Sequence, residues 1–173
     1  MKYIKAYEEI ESHLRQKLLD KELLKYSSKK SALQNMRKLI SAGANVNYYD
    51  INDGTPLIEA AKSSFYSGLK LLIDNGADVN IKNRKNQTAL LIVSCLSRWA
   101  IKKYENNVKN IVDLLIINDA DMNAKDTNGN DMFDYFDLNP NITNVNMREY
   151  IKNKFPEQYN EYLIKKDVEK YNI

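Results

Sequence analysis

The chain holds one histidine, His13, and one cysteine, Cys95, so a Ser/His/Asp set would stake everything on His13. A general base works only within hydrogen-bond reach of a partner in a pocket. His13 sits beside an apolar helical stripe, and its ordinary reading is a half-exposed surface residue. Cys95 lies in the apolar run Leu90–Leu96, where a thiol behaves as a small hydrophobe unless a base activates it. The five glycines are isolated or at turns, so no glycine-rich loop can cradle a phosphate. Two stretches, Asp50-Ile51-Asn52-Asp53-Gly54 and Asp126-Thr127-Asn128-Gly129-Asn130, resemble the opening of a calcium loop. That loop needs glycine at its sixth place and a bidentate glutamate at its twelfth. Counted from Asp50 these are Thr55 and Ala61, and from Asp126 they are Asp131 and Asp137. The expectation is a chain that is not an enzyme and carries no cofactor and no metal.

The chemistry that remains is recognition. Lys82, Arg84 and Lys85 form a short basic cluster, and Tyr48, Tyr49 and Ile51 form an aromatic and aliphatic one. Tyr with Arg nearby is the composition of protein-interface hot spots. A second group, Arg98, Trp99, Lys102, Lys103 and Tyr104, contains the only tryptophan. It suits an acidic protein partner, or packs where helices meet. Stacking on nucleic acid is disfavoured, because the net charge is only +3.

The elements that must carry these residues are set by an internal repeat. Gly43-Ala44-Asn45-Val46-Asn47 returns as Gly76-Ala77-Asp78-Val79-Asn80, and again, altered, as Asp119-Ala120-Asp121-Met122-Asn123. A second marker, Thr55-Pro56-Leu57-Ile58-Glu59-Ala60-Ala61, returns as Thr88-Ala89-Leu90-Leu91-Ile92-Val93-Ser94, and loosely from Asp131. The first interval is 33 residues for both markers and the second is 43, so the same unit holds ten extra residues, within 94–107. Repeats of this length are supersecondary units that bury their apolar faces only by stacking. Thr55, Thr88 and Asp131 are competent helix N-caps, with Pro56 at a first helical position. Gly43 and Gly76 follow apolar runs where a helix must end in a left-handed residue. Asp119 in that place predicts a looser or differently shaped end.

On these markers the chain resembles the ankyrin repeat family, with T-P-L-x-x-A and G-A-D-V-N segments at the family's spacing. The resemblance is specific over 43–93 and extends to about 131; the flanks, 1–30 and 140–173, carry no family motif. It implies an all-α solenoid of stacked helix-turn-helix units with hairpin turns and helical caps. It also implies partner contacts at the turn tips and on the inner face of each unit's first helix. Those positions are Tyr49, Ile51, Asn52, Gly54, Lys62 and Ser63 in one unit. In the next they are Lys82, Arg84, Lys85, Gln87, Cys95 and Leu96, and in the last Lys125, Thr127, Asn128 and Asn130. Arg98 and Trp99 join them from the insertion. The family's turn glycine corresponds to Asp53, Asn86 and Gly129.

The rest reads as helix. Tyr3, Tyr7, Ile10, Leu14 and Leu18 recur at helical spacing and predict one long helix or two short ones over 3–26, followed by a helix over 31–40. A helix over 145–155 ends before a closing one that starts at Pro156 and carries Tyr159, Tyr162, Leu163 and Tyr171, while 139–141 is a turn. The expected organisation is a single ankyrin-repeat domain: an N-terminal cap (1–30), a degenerate first unit (31–49), a repeat (50–82), a repeat with the insertion (83–125), a degenerate last repeat (126–155) and a C-terminal helix (156–173). Both ends are rich in Lys and Glu, as the outer faces of a solenoid should be. No apolar run spans a bilayer and no signal peptide is evident, so a cytoplasmic monomer that binds a protein, with no membrane contact, is expected. Its action is occlusion or scaffolding, as an inhibitor such as an immunity or anti-defence protein, or as a secreted effector.

Overall fold

The computed structural model describes residues 2–52, 54–97, 105–137 and 147–171. The Tyr3–Leu18 periodicity produces a single helix, α1 (Lys2–Ser27). A 3-10 turn (Lys30–Ala32) leads into α2 (Leu33–Ser41). Next come α3 (Pro56–Lys62) and α4 (Tyr66–Asp74), then α5 (Ala89–Ser97) and α6 (Glu105–Ile117). The chain closes with α7 (Met132–Asp137), α8 (Met147–Lys154) and α9 (Pro156–Tyr171). Among the described residues there is no strand, only an isolated bridge between Asp50 and Gly54. The expected turn at 139–141 lies outside the described residues.

The N-caps form where their residue types require. Thr55 Oγ1 accepts from the Ile58 N–H at 3.3 Å, with Pro56 opening α3 behind it. Thr88 Oγ1 accepts from Leu91 N–H at 3.3 Å. Asp131 Oδ1 accepts from Phe133 and Asp134 N–H, and the Asp134 carboxylate accepts in return from Asp131 N–H at 2.8 Å, a reciprocal capping box. Each such cap contributes about 1 kcal/mol.

Packing then makes two layers. α1, α3, α5 and α7 follow one another as neighbours, and α2, α4 and α6 line up behind them. Leu57, Ile58, Leu69, Leu72, Leu90, Leu91, Ile111, Leu115 and Phe133 are fully buried in one continuous core between the layers. Each such side chain contributes roughly 1.5–3 kcal/mol relative to exposure. In α4 the chain needs a residue without a Cβ, because one added at Gly68 would sit 2.5 Å from the buried ring of Phe65.

The three second helices end alike. Gly43, Gly76 and Asp119 have φ of 93°, 85° and 62°, and the N–H of Ala44, Ala77 and Ala120 reaches back to Leu39, Leu72 and Leu115 carbonyls at 3.0 Å in each case. Asp119 therefore makes the same closure as the glycines, contrary to the looser end expected of it. Short Asp tolerates the left-handed region better than bulkier residues do, so the hydrogen bonds retain the shape.

The terminal helices depart from expectation in a consistent way. Ile10, Leu14 and Leu18 of α1 are exposed; Leu19 packs against the core and Leu23 is part of it. In α9, Tyr159 and Tyr162 are buried against Phe133 of α7, while Leu163 and Tyr171 remain exposed. Helical spacing located both helices, but not which face meets the stack.

Candidate binding surface

Neighbouring units are tied by two rows of turns. In the first row, Asn47 donates from Nδ2 to the Gly76 carbonyl (3.0 Å) and accepts at Oδ1 from Asp78 N–H (2.8 Å). Asn80 repeats both bonds on Asp119 (2.9 Å) and Asp121 (2.8 Å) of the next turn. The first turn receives the equivalent pair from α1: Gln16 Nε2 donates to Gly43 carbonyl at 2.9 Å, and Asp20 Oδ1 accepts from Asn45 N–H at 2.7 Å. Two side chains of α1 thus take the part that one asparagine plays at the later turns.

The second row is made of hairpin tips. Asp50 and Gly54 exchange backbone hydrogen bonds at 2.9 and 2.8 Å, and Asp50 Oδ1 accepts from Asn52 N–H. Asn83 N–H bonds the Gln87 carbonyl, while Asn83 Oδ1 accepts from Lys85 and Gln87 N–H. Asp126 does the same with Asn128 and Asn130. Asn86 (φ 57°) and Gly129 (φ 83°) supply the left-handed turn residue. Asp53 lies outside the described residues; Gly54, which follows it, has a φ of 88°. These side chains use their acceptors on their own turns, which is what an Asx turn is.

The tips also touch one another. Arg84 Nη1 reaches Asn52 Oδ1 at 3.5 Å, and Thr127 N–H bonds the Lys85 carbonyl at 3.0 Å. The result is one continuous edge running from Tyr49, Ile51 and Asn52, through Lys82, Arg84 and Lys85, to Thr127 and Asn128, all exposed. Tyr48 is half-buried behind the first tip. Lys62, exposed at the end of α3, pairs with Glu59, and Ser63 beside it is half-buried. Other expected contact residues serve the fold. Gln87 closes its own hairpin, accepting from Asn83 Nδ2 at 3.2 Å. Cys95 and Leu96 are half-buried against the core. Lys125 is half-buried and paired with Glu169 of α9, and Asn130 helps to close the third tip. Arg98 and Trp99, with Lys102, Lys103 and Tyr104, fall outside the described residues.

Chemistry-bearing residues remain apart. His13 is exposed on α1, which packs on α2 and α3; Cys95 lies on α5, which packs on α3, α6 and α7. The polar groups with shifted ionisation serve packing. Burial would raise the Asp126 carboxyl, but hydrogen bonds from Tyr135 and from the backbone of Asn130 and Asn128 outweigh it and lower it. At Asp131 burial acts in the same upward sense, and it is overcome by Lys166, the Asp134 backbone and Tyr162. Lys166 is raised in consequence, its burial outweighed by the bond to Asp131 at 2.8 Å. Sequence reasoning identified Asp131 as a cap but missed that α9 is fastened to it.

Comparison with known proteins agrees with this geometry. A family model of three ankyrin repeats matches residues 8–126, further towards the N-terminus than the motifs reach, so that most of α1 is included. An ankyrin repeat protein of Acanthamoeba polyphaga mimivirus is 42% identical over 88 residues, 47% of this chain and 54% of that protein. An ankyrin repeat and KH domain-containing protein of Caenorhabditis elegans is 33% identical over 98 residues, 57% of this chain and 3% of that protein. The chain therefore aligns with about half of the viral relative and a small part of the nematode one. With the stacked helix pairs, the left-handed helix ends and the asparagine ties in place, this chain belongs to the ankyrin repeat family.

Proposed function

We propose that the chain binds an acidic surface of another protein through the edge Tyr49–Ile51–Asn52–Lys82–Arg84–Lys85–Thr127–Asn128. Ankyrin repeats are in general protein–protein interaction modules. The observation that carries the finer reading is the direct joining of adjacent tips, Arg84 to Asn52 and Thr127 to Lys85. A row held in this way is preorganised, so binding loses little conformational entropy to ordering it. Tyr49 and Ile51 supply apolar area at one end, and the cations beside them steer an acidic partner. Arg98 and Trp99 are kept as a second contact group, Lys62 and Ser63 as flanking ones, and Gln87 and Lys125 as supports of the edge.

On this reading the chain acts by covering or scaffolding its partner and has no catalytic role. Inhibition, as by an immunity or anti-defence protein, is the preferred form, and a secreted effector is the alternative. The lone thiol fits a cytoplasmic setting. No described helix is long and apolar enough to cross a membrane. The test is capture of partners from the cells that encode the chain, with Arg84→Glu/Lys85→Glu alongside. Loss of a specific partner in the double variant, at unchanged melting temperature, supports the edge; an unchanged catch removes it. Retention on a heparin or DNA column above physiological salt would instead identify a nucleic-acid binder.

A further inference from the structure

Asn47 and Asn80 each hold a carbonyl with Nδ2 and, with Oδ1, the N–H two residues beyond it. Asn123 has the same place in the third turn, and its backbone is set in the same way. Its N–H donates to Asp121 Oδ1 at 2.9 Å, as Asn47 N–H does to Asn45 and Asn80 N–H to Asp78. Yet the half-buried Asn123 side-chain amide has no hydrogen-bond partner among the described residues, and its polar atoms reach the surface.

The chain that follows explains the difference. A turn comes after α2, α4 and α6, but α8 ends at Lys154 and α9 opens at Pro156, with Phe155 alone between them. No turn therefore follows α8 to take the amide. Instead a cleft of about 250 Å³ separates Asp119, Asp121 and Asn123 of the third turn from Gln158, Glu161 and Lys165 of α9. Its charged lining is three acids and one base. Lys165 pairs with Glu161 at 3.0 Å and attracts Asp121 more weakly, so the cleft keeps a net negative charge.

We propose that this cleft binds a reverse turn of another protein, with Asn123 Nδ2 donating to one carbonyl and Oδ1 accepting from the N–H two residues on. One amide offers a donor and an acceptor together, which is what the carbonyl and N–H of such a turn require. Asn47 and Asn80 make that match twice within this molecule, from the same local backbone. A lysine or arginine beside the bound turn meets Asp119 and Asp121. A second copy of this chain does not supply the turn. Its Gly43, Gly76 and Asp119 carbonyls, and its Asn45, Asp78 and Asp121 N–H groups, are already engaged. The site uses none of the hairpin tips, so it is independent of the edge proposed above.

The probe is a cyclic peptide, Lys-Gly-Ala-Asn-Val-Asn-Lys, which carries the sequence of the first turn between lysines. It is titrated into the isotope-labelled 173-residue chain and followed by NMR. The expected result is a saturable shift of the Asn123 side-chain amide, with a dissociation constant of about 1 mM or below. Methylating the N–H of the peptide's first asparagine should weaken binding roughly tenfold, the effect of one lost hydrogen bond. Exchanging the two lysines for glutamates should weaken it further. In Asn123→Ala the peptide-induced shifts of the Met122 and Ala124 amides should vanish, with the melting temperature unchanged. Three outcomes overturn the proposal: no saturable shift at concentrations several times that constant, equal binding of the methylated peptide, or an Asn123→Ala melting temperature lowered as far as that of Asn80→Ala. The last would mean that the amide serves this chain's own fold.

Discussion

The two rows of turns hold the same units together, yet they are written differently. Along one row Asn47 and Asn80 make the same pair of bonds to the following turn, at distances that differ by 0.1 Å or less. Along the other, the links between tips change from a side chain–side chain contact at Arg84–Asn52 to a backbone bond at Thr127–Lys85. Repetition marks what the stack requires. Variation marks what it leaves free, and the exposed residues that differ from tip to tip are those available for recognition.

Breaking the first row should have the largest effect. Asn47→Ala with Asn80→Ala removes four intramolecular hydrogen bonds and leaves the Gly76 and Asp119 carbonyls to water. At about 1 kcal/mol net per bond, chemical denaturation should report a loss of roughly 3–4 kcal/mol, nearly additive because the ties sit at separate junctions. A loss under about 1 kcal/mol would mean that the repeated bonds are incidental.

A smaller effect separates the second and third tips. Asn83 and Asp126 accept the same backbone hydrogen bonds, but only Asp126 titrates. Its folded pKa, and that of Asp131, lie below the ordinary value of 3.8. A lowered carboxyl stabilises the fold above the unfolded pKa, and that contribution disappears as pH falls through the folded value. The melting temperature should therefore hold from neutrality to about pH 5 and drop below about pH 4. Asp126→Asn should flatten that acid drop while retaining the turn. An acid limb unchanged by this variant and by Asp131→Asn would place the sensitivity elsewhere.

The smallest effect on stability belongs to the edge. Arg84→Ala breaks an exposed 3.5 Å contact, so the expected change is within about 0.5 kcal/mol. A larger loss in differential scanning calorimetry would make the tip contact structural and weaken the comparison.

Legibility followed the same division. Thr55, Thr88, Asp131, Gly43 and Gly76 were readable because each performs a local backbone task that few residue types can perform. Asp119 was read as a defect because residue type alone does not reveal that the hydrogen bonds on both sides of it are intact. The roles of Gln16 and Asp20 were not readable, since they depend on a neighbour 25 and 27 residues away and on no local pattern. The same holds for Gln87 and Lys125, assigned to the contact set by position and found to be engaged in the fold. Helical periodicity placed Leu14 and Leu18 on one stripe, but an apolar stripe records a face without recording what covers it.

Gln16 and Asp20 have a further consequence for how such arrays change length. Because they hold the turn at Gly43 as an asparagine from a preceding unit would, that turn is satisfied by a helix that carries no turn sequence of its own. Units that follow can be duplicated or lost, and every remaining turn among them still finds either an asparagine or this pair in front of it. A copied unit brings its own tie along in its asparagine.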